Sequence, residues 1–209
     1  MRRILFFVMI TTNGFYERAR WGIDWHTVDE EFNEFAIAQL DSVDTLLFGR
    51  VTYEGMASYW PTPEAIALDP AVARRMNELQ KIVFSKTLER AEWSNTRIAR
   101  GELSDSIAAL KREEGKDAIV FGSSDLAVAL ADRDLIDEYR LMLSPIALGH
   151  GKPVLDGLRR DLRLKLLDLR RFSNGNVLLS YEPDRGTGTA SVGAVIQESS
   201  RPSSGFARR

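Results

Sequence analysis

The sequence predicts an α/β protein with three layers, α/β/α, around a mixed central sheet. Short apolar runs of strand length alternate with helical patterns along most of the chain, as they do in layered proteins of this class. Runs such as Leu46–Gly49 and Ala118–Gly122 show no polar alternation, which is typical of strands covered on both faces. The last two runs flank Ser173, Asn174 and Gly175, a strong hairpin signal, so the sheet is expected to end in an antiparallel pair.

Apolar runs of strand length define the expected strands of this sheet. In chain order they are Ile4–Ile10, Thr45–Phe48, Lys81–Ser85, Arg97–Ala99, Ala118–Phe121, Glu138–Ile146, Arg163–Arg171 and Asn176–Tyr181. Helical patterns lie between them, and these are Asp29–Leu40, Ala71–Leu79, Ser104–Glu114 and Ser124–Ala131. In the first helix Phe32, Phe35 and Leu40 share one face. Ser104 is the expected N-cap of the third helix, and a further helix is expected to begin after Gly49.

The chain of 209 residues is predicted to hold one domain, residues 1–183, followed by a flexible tail, residues 184–209. One domain is the better estimate at about 150 residues per domain. Hydrophobic residues make up 44% of the chain and charged residues 28%, which is typical of a folded globular protein. The tail is rich in Gly, Ser and Pro and shows no hydrophobic period. The net charge of -2 lacks the basic excess of nucleic-acid-binding proteins, so no nucleic acid partner is expected.

Two shortages in the composition restrict the chemistry. The chain has no Cys, which excludes disulfides, thiolate metal sites and a cysteine nucleophile. Its two histidines, His26 and His150, leave little room for a zinc site or a Ser-His-Asp triad, so no metal is expected. His26 could bind a substrate phosphate or simply pack beside Trp25. No apolar run reaches the roughly 18 residues of a membrane span, and the run ending at Thr11 is predicted as a buried strand. We therefore expect a cytoplasmic protein without a membrane partner.

Three predicted strand ends carry residues suited to phosphate groups. After the first of them, Gly49 lets a ligand approach the backbone, Arg50 offers a planar guanidinium, and Thr52 can cap a helix or bind phosphate. After the second, Ser85 and Lys86 would suit the 2'-phosphate of an adenosine ribose. When each segment is considered alone, an ordinary turn or loop is the better explanation.

The third strand end leads through a small-residue turn into a helix, which is the anatomy of a pyrophosphate site in an open sheet. Its residues are Gly122, Ser123, Ser124, Asp125 and Leu126. The segment is not a G-x-G-x-x-G fingerprint. Because ligands gather at the carboxyl ends of strands in such sheets, the three segments together favour an anionic ligand at one edge.

The order of these segments resembles the dihydrofolate reductase superfamily over about residues 3–183. The resemblance is strongest to the C-terminal reductase domain of the bifunctional riboflavin-biosynthesis deaminase/reductase. Its markers are Thr12–Phe15, Phe48–Glu54, Val83–Lys86, Val120–Ser124, Leu135–Leu141 and Ser144–Lys152. The last two markers resemble the riboflavin branch rather than the folate enzymes. The resemblance implies a stand-alone domain of the dihydrofolate reductase type.

The same resemblance implies NADPH as hydride donor and a small pyrimidine- or pteridine-like heterocycle as acceptor. It implies that the cofactor phosphates meet Gly49, Arg50 and Thr52, and that the 2'-phosphate lies near Ser85 and Lys86. The pyrophosphate and nicotinamide would be held by Gly122, Ser123, Ser124, Asp125 and Leu126. The nicotinamide and substrate would be bordered by Thr11 to Gly14. The implied activity is that of a 5-amino-6-(5-phosphoribosylamino)uracil reductase. The alternatives are a dihydrofolate reductase and a non-catalytic nucleotide-binding protein that kept the fold.

The sequence alone leaves open which residue would donate a proton to the substrate. Folate reductases carry a carboxylate at the start of the first helix, and alignment on Trp25 places Glu30 near that position, beside Asp29 and Glu31. A buried carboxylate at Glu30 could donate a proton to the substrate. Alternatively, the three acids complement the helix dipole on an exposed face.

Two residues depart from the family pattern. Asn13 stands where the family commonly has Asp, and Ser123 replaces the second residue of a glycine pair. In the folate enzymes that glycine pair holds a cis peptide bond, so the resemblance implies a cis bond between Gly122 and Ser123.

The resemblance to the riboflavin reductases also implies a two-fold homodimer. The expected interface contains the strand Glu138–Ile146 and the hairpin Arg163–Tyr181, both of which are rich in apolar residues. The loop Gly149–Lys152 is expected near the partner or the mouth of the site, and the tail is expected to contribute little.

Overall fold

A mixed eight-stranded sheet runs through the centre of the part of the chain that the structure describes, residues 1–18 and 22–186. The structure is a computed structural model. The strands are β1 (Ile4–Thr11), β2 (Phe15–Glu17), β3 (Val43–Gly49), β4 (Gln80–Phe84), β5 (Thr96–Ala99), β6 (Asp117–Phe121), β7 (Glu138–Ser144), β8 (Lys152–Pro153), β9 (Leu164–Arg171) and β10 (Val177–Pro183). The helices are α1 (Glu30–Asp41), α2 (Arg50–Tyr59), α3 (Pro63–Leu68), α4 (Pro70–Glu78), α5 (Leu103–Arg112) and α6 (Ser124–Ala131). Residues 187–209 of the expected tail lie outside the described residues.

The strand order explains where a ligand can approach the sheet. The order is β5-β4-β3-β6-β1-β7-β10-β9, with the first six strands parallel and β10 antiparallel to both β7 and β9. β6 lies between β3 and β1 although it follows both along the chain, so the carboxyl ends of these three strands are neighbours. Open α/β sheets bind ligands where the strand order reverses in this way. The predicted α/β architecture, with a mixed sheet that ends in an antiparallel pair, is confirmed.

β1 is the most deeply buried element of the sheet, because both of its faces are covered by helices. All eight of its residues are buried. Phe7 and Met9 pack with Phe35 of α1 on one face, whereas Phe6 packs with Ile107 of α5 on the other. Each large apolar side chain buried in this way contributes about 1.5–3 kcal/mol. This is why the β1 sequence shows no polar alternation.

Three helices, α1, α3 and α4, begin with ordinary side-chain caps. The side chains of Asp29, Thr62 and Asp69 each accept a hydrogen bond from a first-turn backbone N–H of α1, α3 and α4. Pro63 and Pro70 begin α3 and α4, where the missing N–H costs nothing. These caps are visible in the sequence, although α3 was not among the predicted helices.

The structure differs from the prediction in α5 and in two short strands. Glu102 is the N-cap of α5, so the prediction that Ser104 caps this helix is wrong. The helix begins at Leu103, whose side chain packs against the buried cluster and favours helical backbone there. β2 and β8 pair antiparallel outside the main sheet. They are too short to leave a periodic pattern in the sequence.

Candidate functional site

The carboxyl ends of β3 and β6 lie side by side, and each leads directly into a helix. Gly49 is the N-cap of α2, and Ser123 is the N-cap of α6. The backbone N–H of Gly49 donates a hydrogen bond of 3.1 Å to Oγ of Ser123. The first turns of the two helices therefore begin at one place. We call these joined turns, Gly49 to Thr52 and Gly122 to Leu126, the cradle.

Neither helix of the cradle is capped by a side chain. An uncapped first turn leaves up to four backbone N–H groups without an intrahelical partner, and the helix dipole adds positive potential there. A phosphate group satisfies such N–H groups well. α5 also lacks a side-chain cap, whereas α1, α3 and α4 have their own capping oxygens. The cradle is therefore suited to an anionic ligand, and both of its strand-to-helix turns were predicted from the sequence.

Two glycines keep the cradle open. A Cβ atom on Gly49 would lie 3.9 Å from the Cβ of Leu126, and one on Gly122 would lie 3.8 Å from Cγ2 of Thr52. Side chains at these positions would therefore occupy the space between the two helices. Gly122 also has a φ of +68°, in the left-handed region that favours glycine.

The peptide bond between Gly122 and Ser123 is trans, and no cis peptide bond occurs among the described residues. The cis bond implied by the resemblance to the folate enzymes is therefore wrong for this chain. Here the positive φ of Gly122 turns the backbone into α6. Ser123 is buried and uses its hydroxyl to bind Gly49, a contact that a second glycine could not make.

Two cations flank the cradle, and each is paired with an acid. Arg50 donates to both carboxylate oxygens of Glu54 at 3.0 and 2.8 Å, one helical turn further along α2. Lys152 of β8 lies 3.0 and 3.1 Å from the two carboxylate oxygens of Asp125. Both ion pairs are partly exposed. Exposed pairs contribute only about 0–1 kcal/mol, so either cation can exchange its carboxylate for a phosphate at little cost.

Ser85 and Lys86 lie on the same edge of the sheet, one strand away from the cradle. Phe84, the last residue of β4, is in register with Gly49 of β3. Oγ of Ser85 accepts hydrogen bonds from two backbone N–H groups of the following turn, at 3.1 and 2.9 Å. Lys86 is exposed. The structure therefore brings the first and second phosphate-type segments of the sequence together.

The end of β1 forms the other side of the site. Thr11 is buried, and its hydroxyl accepts from the backbone N–H of Phe15 and donates to Asn13. The Asn13 amide donates to the Leu148 carbonyl at 2.8 Å and accepts from the Leu148 N–H at 3.1 Å. An aspartate cannot make the first of these bonds, which explains Asn13 at this position. Gly14 has a φ of +82°, and a Cβ added there would meet nothing within 4 Å.

The three acidic residues at the start of α1 have different surroundings. Asp29 is the N-cap and accepts from the backbone N–H of Phe32 at 2.9 Å. Glu31 accepts from the backbone N–H and the hydroxyl of Ser173, each at 2.8 Å. Glu30 is exposed. The burial that a proton-donating Glu30 requires is not found, because α1 turns Phe32 rather than Glu30 towards the core.

Several buried polar atoms lie near the ends of β7 and β10 without a hydrogen-bond partner in the described part of the chain. They are Nε1 of Trp25, Nε2 of His26, Oγ of Ser144 and Oδ1 of Asn176. Asn176 immediately precedes β10, whose first residue faces the residue before Ser144 in register. The Asn176 amide also donates to the Thr27 carbonyl, beside Trp25 and His26. We call these four residues the polar cluster.

Buried polar atoms without a hydrogen-bond partner cost free energy, so a ligand or ordered water with matching groups is expected beside the polar cluster. Sequence reasoning missed Ser144 and Asn176. Ser144 stands next to a proline and Asn176 next to a turn, and small polar residues at such positions are typical of ordinary loops. His26 packs edge-on against Trp25 at 4.3 Å, and burial lowers the pKa of His26 to about 4. At neutral pH His26 is therefore uncharged and unsuited to bind a phosphate as a cation.

This edge of the sheet therefore has two uncapped helix N-termini and a group of buried polar atoms without partners, a combination that suits a ligand with phosphates at one end and a flat polar ring at the other. The described residues contain no group of three or more His, Asp or Glu side chains placed to hold a metal ion. Among the helices of residues 1–18 and 22–186, none is long and apolar enough to cross a membrane.

Comparison with known sequences identifies a matching protein family and a relative that aligns over most of its length. The model of the RibD C-terminal domain matches residues 2–178 of the chain. A Bacillus subtilis (strain 168) protein named "Uncharacterized protein YyaP" is 29% identical over 182 residues, which cover 86% of this chain and 94% of that protein.

Solved structures share the fold at low sequence identity. A Thermotoga maritima diaminohydroxyphosphoribosylaminopyrimidine deaminase/5-amino-6-(5-phosphoribosylamino)uracil reductase superposes with a TM-score of 0.63 at 15% identity, over 87% of this chain and 56% of that chain. Dihydrofolate reductase from Enterococcus faecalis, complexed with NADP(H), superposes with a TM-score of 0.59 at 14% identity, over 87% of this chain and 96% of that chain. The predicted dihydrofolate reductase-like fold is therefore confirmed.

Proposed function

Because the chain belongs to the RibD C-terminal domain family, we propose that it is a cytoplasmic NADPH-dependent reductase of a pyrimidine- or pteridine-like heterocycle. The proposed reaction is of the 5-amino-6-(5-phosphoribosylamino)uracil reductase type, as in riboflavin biosynthesis. The observation that carries the proposal is the cradle, where two uncapped helix N-termini meet through the bond between Gly49 and Ser123. A dinucleotide is a ligand with the phosphates that such a cradle attracts.

The residues present fit a nicotinamide dinucleotide. Gly49 and Gly122 place no side chain between the first turns of α2 and α6, so the pyrophosphate is proposed to lie against the backbone of these turns. Arg50, Ser85 and Lys86 are the groups proposed to receive the adenosine 2'-phosphate, which favours NADPH over NADH. Bound there, the reduced cofactor supplies the hydride.

The end of β1 and the polar cluster are proposed to hold the nicotinamide and the substrate. Thr11 to Gly14 border both, because the Asn13–Leu148 bonds keep this loop beside the end of β7. The unpaired atoms of the polar cluster offer hydrogen bonds to the edge of a ring. The chain's contribution to catalysis is therefore to orient two flat groups and to exclude water from between them.

Glu30 enters the proposal only as a candidate proton source. Its side chain is exposed on α1 and is not buried beside the proposed substrate position. We therefore expect Glu30→Gln to keep turnover within about threefold of the wild type, a change of less than 1 kcal/mol. A loss of two orders of magnitude at unchanged cofactor affinity would instead identify Glu30 as the proton donor.

The protein is further proposed to be a homodimer through the hairpin formed by β9 and β10. β7, which was also expected in the interface, is not an edge strand, because it lies inside the sheet between β1 and β10. β9 is an edge strand of the sheet, and Leu166, Leu167 and Leu169 are each about half exposed on it. Leu169 faces Leu179 and Leu166 faces Tyr181 across the hairpin, so apolar groups of both strands share one face. An exposed apolar edge of this kind favours association with a second copy.

Cofactor binding followed by a substrate screen tests the proposed function. NADPH is expected to bind more tightly than NADH, and NADPH absorbance is expected to fall when 5-amino-6-(5-phosphoribosylamino)uracil or a related pyrimidine or pteridine is added. Turnover of dihydrofolate alone would support the folate alternative. Binding without turnover of any heterocycle would support a non-catalytic nucleotide-binding protein, and absence of binding would overturn the proposal.

A further inference from the structure

We infer that Lys152 is a cofactor-binding residue, which leaves the Asp125 carboxylate and binds the pyrophosphate when the dinucleotide enters the cradle. The inference rests on the proposed function, because it assigns a further residue to the same cofactor site. It concerns the phosphates that NADPH and NADH share, whereas Arg50, Ser85 and Lys86 are proposed to distinguish the two.

Lys152 reaches the cradle because the segment that follows β7 passes over the cradle. β8 pairs with β2, and the backbone N–H of Val154 donates to the Gly14 carbonyl at 2.9 Å. The next residue, Leu155, donates its backbone N–H to Oγ of Ser124 at 3.0 Å. Lys152 is therefore held between the end of β1 and the first turn of α6, the two sides of the proposed nicotinamide and pyrophosphate positions.

The place of Lys152 is electrostatically unusual for a cation. A helix N-terminus carries positive potential and disfavours a nearby ammonium group unless an anion lies between them. In the structure that anion is Asp125, the second residue of α6, which binds Nζ of Lys152 with both oxygens. Asp125 thus holds the ammonium beside the uncapped first turn of α6, where a phosphate of the ligand would meet both the ammonium and the helix N-terminus.

The exchange from carboxylate to phosphate is favourable for simple electrostatic reasons. The Asp125 side chain is 81% exposed, so its pair with Lys152 is screened by water. A phosphate in the cradle would bind the ammonium and the free N–H groups of the first turn at the same time. Lys152 is charged at neutral pH: burial opposes its charge, but the Tyr16 hydroxyl and Asp125 outweigh burial and raise the pKa of Lys152.

Two substitutions that break the same ion pair separate this role from a purely structural one. Lys152→Met keeps the apolar stem and removes the charge, and it is expected to raise the Kd of both NADPH and NADH by about tenfold. Asp125→Asn releases Lys152 and removes a competing anion, and it is expected to lower both Kd values by about threefold. Lys165→Met is the matched control, because it breaks an exposed ion pair with Glu182 on the distant β9–β10 hairpin. It is expected to change neither the Kd of NADPH nor that of NADH.

The measurement is the change in cofactor fluorescence on binding, at low and at high ionic strength. Opposite signs for the Lys152 and Asp125 variants support the inference. If both variants weaken cofactor binding equally, the ion pair between Lys152 and Asp125 only holds the segment after β7 in place, and the inference is wrong. If Lys152→Met binds like the wild type, the inference is also wrong although the proposed function stands. If the wild type binds neither dinucleotide, the proposed function fails and the role of Lys152 fails with it.

Discussion

Arg50 is the side chain on which the preference for NADPH is expected to depend most. Its guanidinium lies at the first turn of α2 and is paired with Glu54. Arg50→Ala should weaken NADPH binding by about 1.5–3 kcal/mol, the range for hydrogen bonds to a charged group, and NADH binding by much less. Parallel titrations of the two dinucleotides measure this difference. Glu54→Gln is the control, because it frees Arg50 and should preserve NADPH affinity. Equal affinity of the wild type for both cofactors would contradict the assignment.

His26 is expected to make the stability of the protein sensitive to mild acid. Burial lowers the pKa of His26 to about 4 in the folded state, whereas an unfolded histidine titrates near 6.5. The unfolded state therefore binds more protons between these values. The contribution of neutral His26 is fully present above pH 6.5 and is lost as the pH falls towards 4, by up to about 3 kcal/mol.

Urea unfolding from pH 7 to pH 4 measures this contribution as the difference between the wild type and His26→Gln. The variant is expected to lose less stability on acidification, because glutamine does not titrate. His150→Gln is the matched control, because it removes the other, exposed histidine and should leave the acid sensitivity unchanged. The same loss of stability in His26→Gln as in the wild type would show that this histidine is not the cause.

At the scale of elements, the loop after β1 and the segment after β7 are held together by hydrogen bonds to backbone groups. The Thr12 hydroxyl and its N–H both donate to the Ile146 carbonyl at 2.8 Å, and Asn13 exchanges two bonds with Leu148. Both elements border the proposed nicotinamide position. Their contact therefore positions the site in addition to stabilising the fold.

Asn13→Asp is expected to lower the free energy of unfolding by about 1 kcal/mol at neutral pH. An aspartate keeps the acceptor for the Leu148 N–H but cannot donate to the Leu148 carbonyl, which is left without this partner. Asn174→Asp is the control, because the Asn174 side chain acts as an acceptor for the Asn176 N–H and its amide nitrogen has no partner. Equal losses in the two variants, measured by urea unfolding, would show that the donor to Leu148 is unimportant.

The first turn of α1 illustrates how much of the site the sequence could predict. The pattern placed Asp29, Glu30 and Glu31 at a helix start, and the structure has them there. The pattern could not assign their roles, because Glu31 finds its partner Ser173 in a hairpin more than a hundred residues away. Contacts of this range leave no local signal.

At the scale of the whole molecule, the exposed leucines of β9 predict the assembly. Leu169→Glu is expected to convert the proposed dimer into a monomer of about 23.5 kDa, because a charge would then be buried in an apolar interface. Sedimentation at micromolar concentration measures the mass. Leu68→Glu on α3, where the wild-type side chain is 76% exposed, is the control and should leave the mass unchanged.

A wild-type mass near 23.5 kDa would contradict the dimer itself. A chain shortened after Pro183, where β10 ends, tests the tail separately. It is expected to remain a dimer, because the proposed interface lies in the sheet. Loss of the dimer in the shortened chain would show that the tail takes part in the interface.

The sequence by itself determined the fold class, the main strands and the strand-to-helix turns of the cradle. These features are local: burial on both faces removes polar alternation from a strand such as β1, and glycine marks a turn such as Gly122. The tertiary structure alone decided which segments meet. The insertion of β6 between β3 and β1 brings Gly49 to Ser123, and the crossing of β8 brings Lys152 to Asp125. These pairings depend on the packing of elements far apart in the chain, which the spacing of residues along the sequence does not encode.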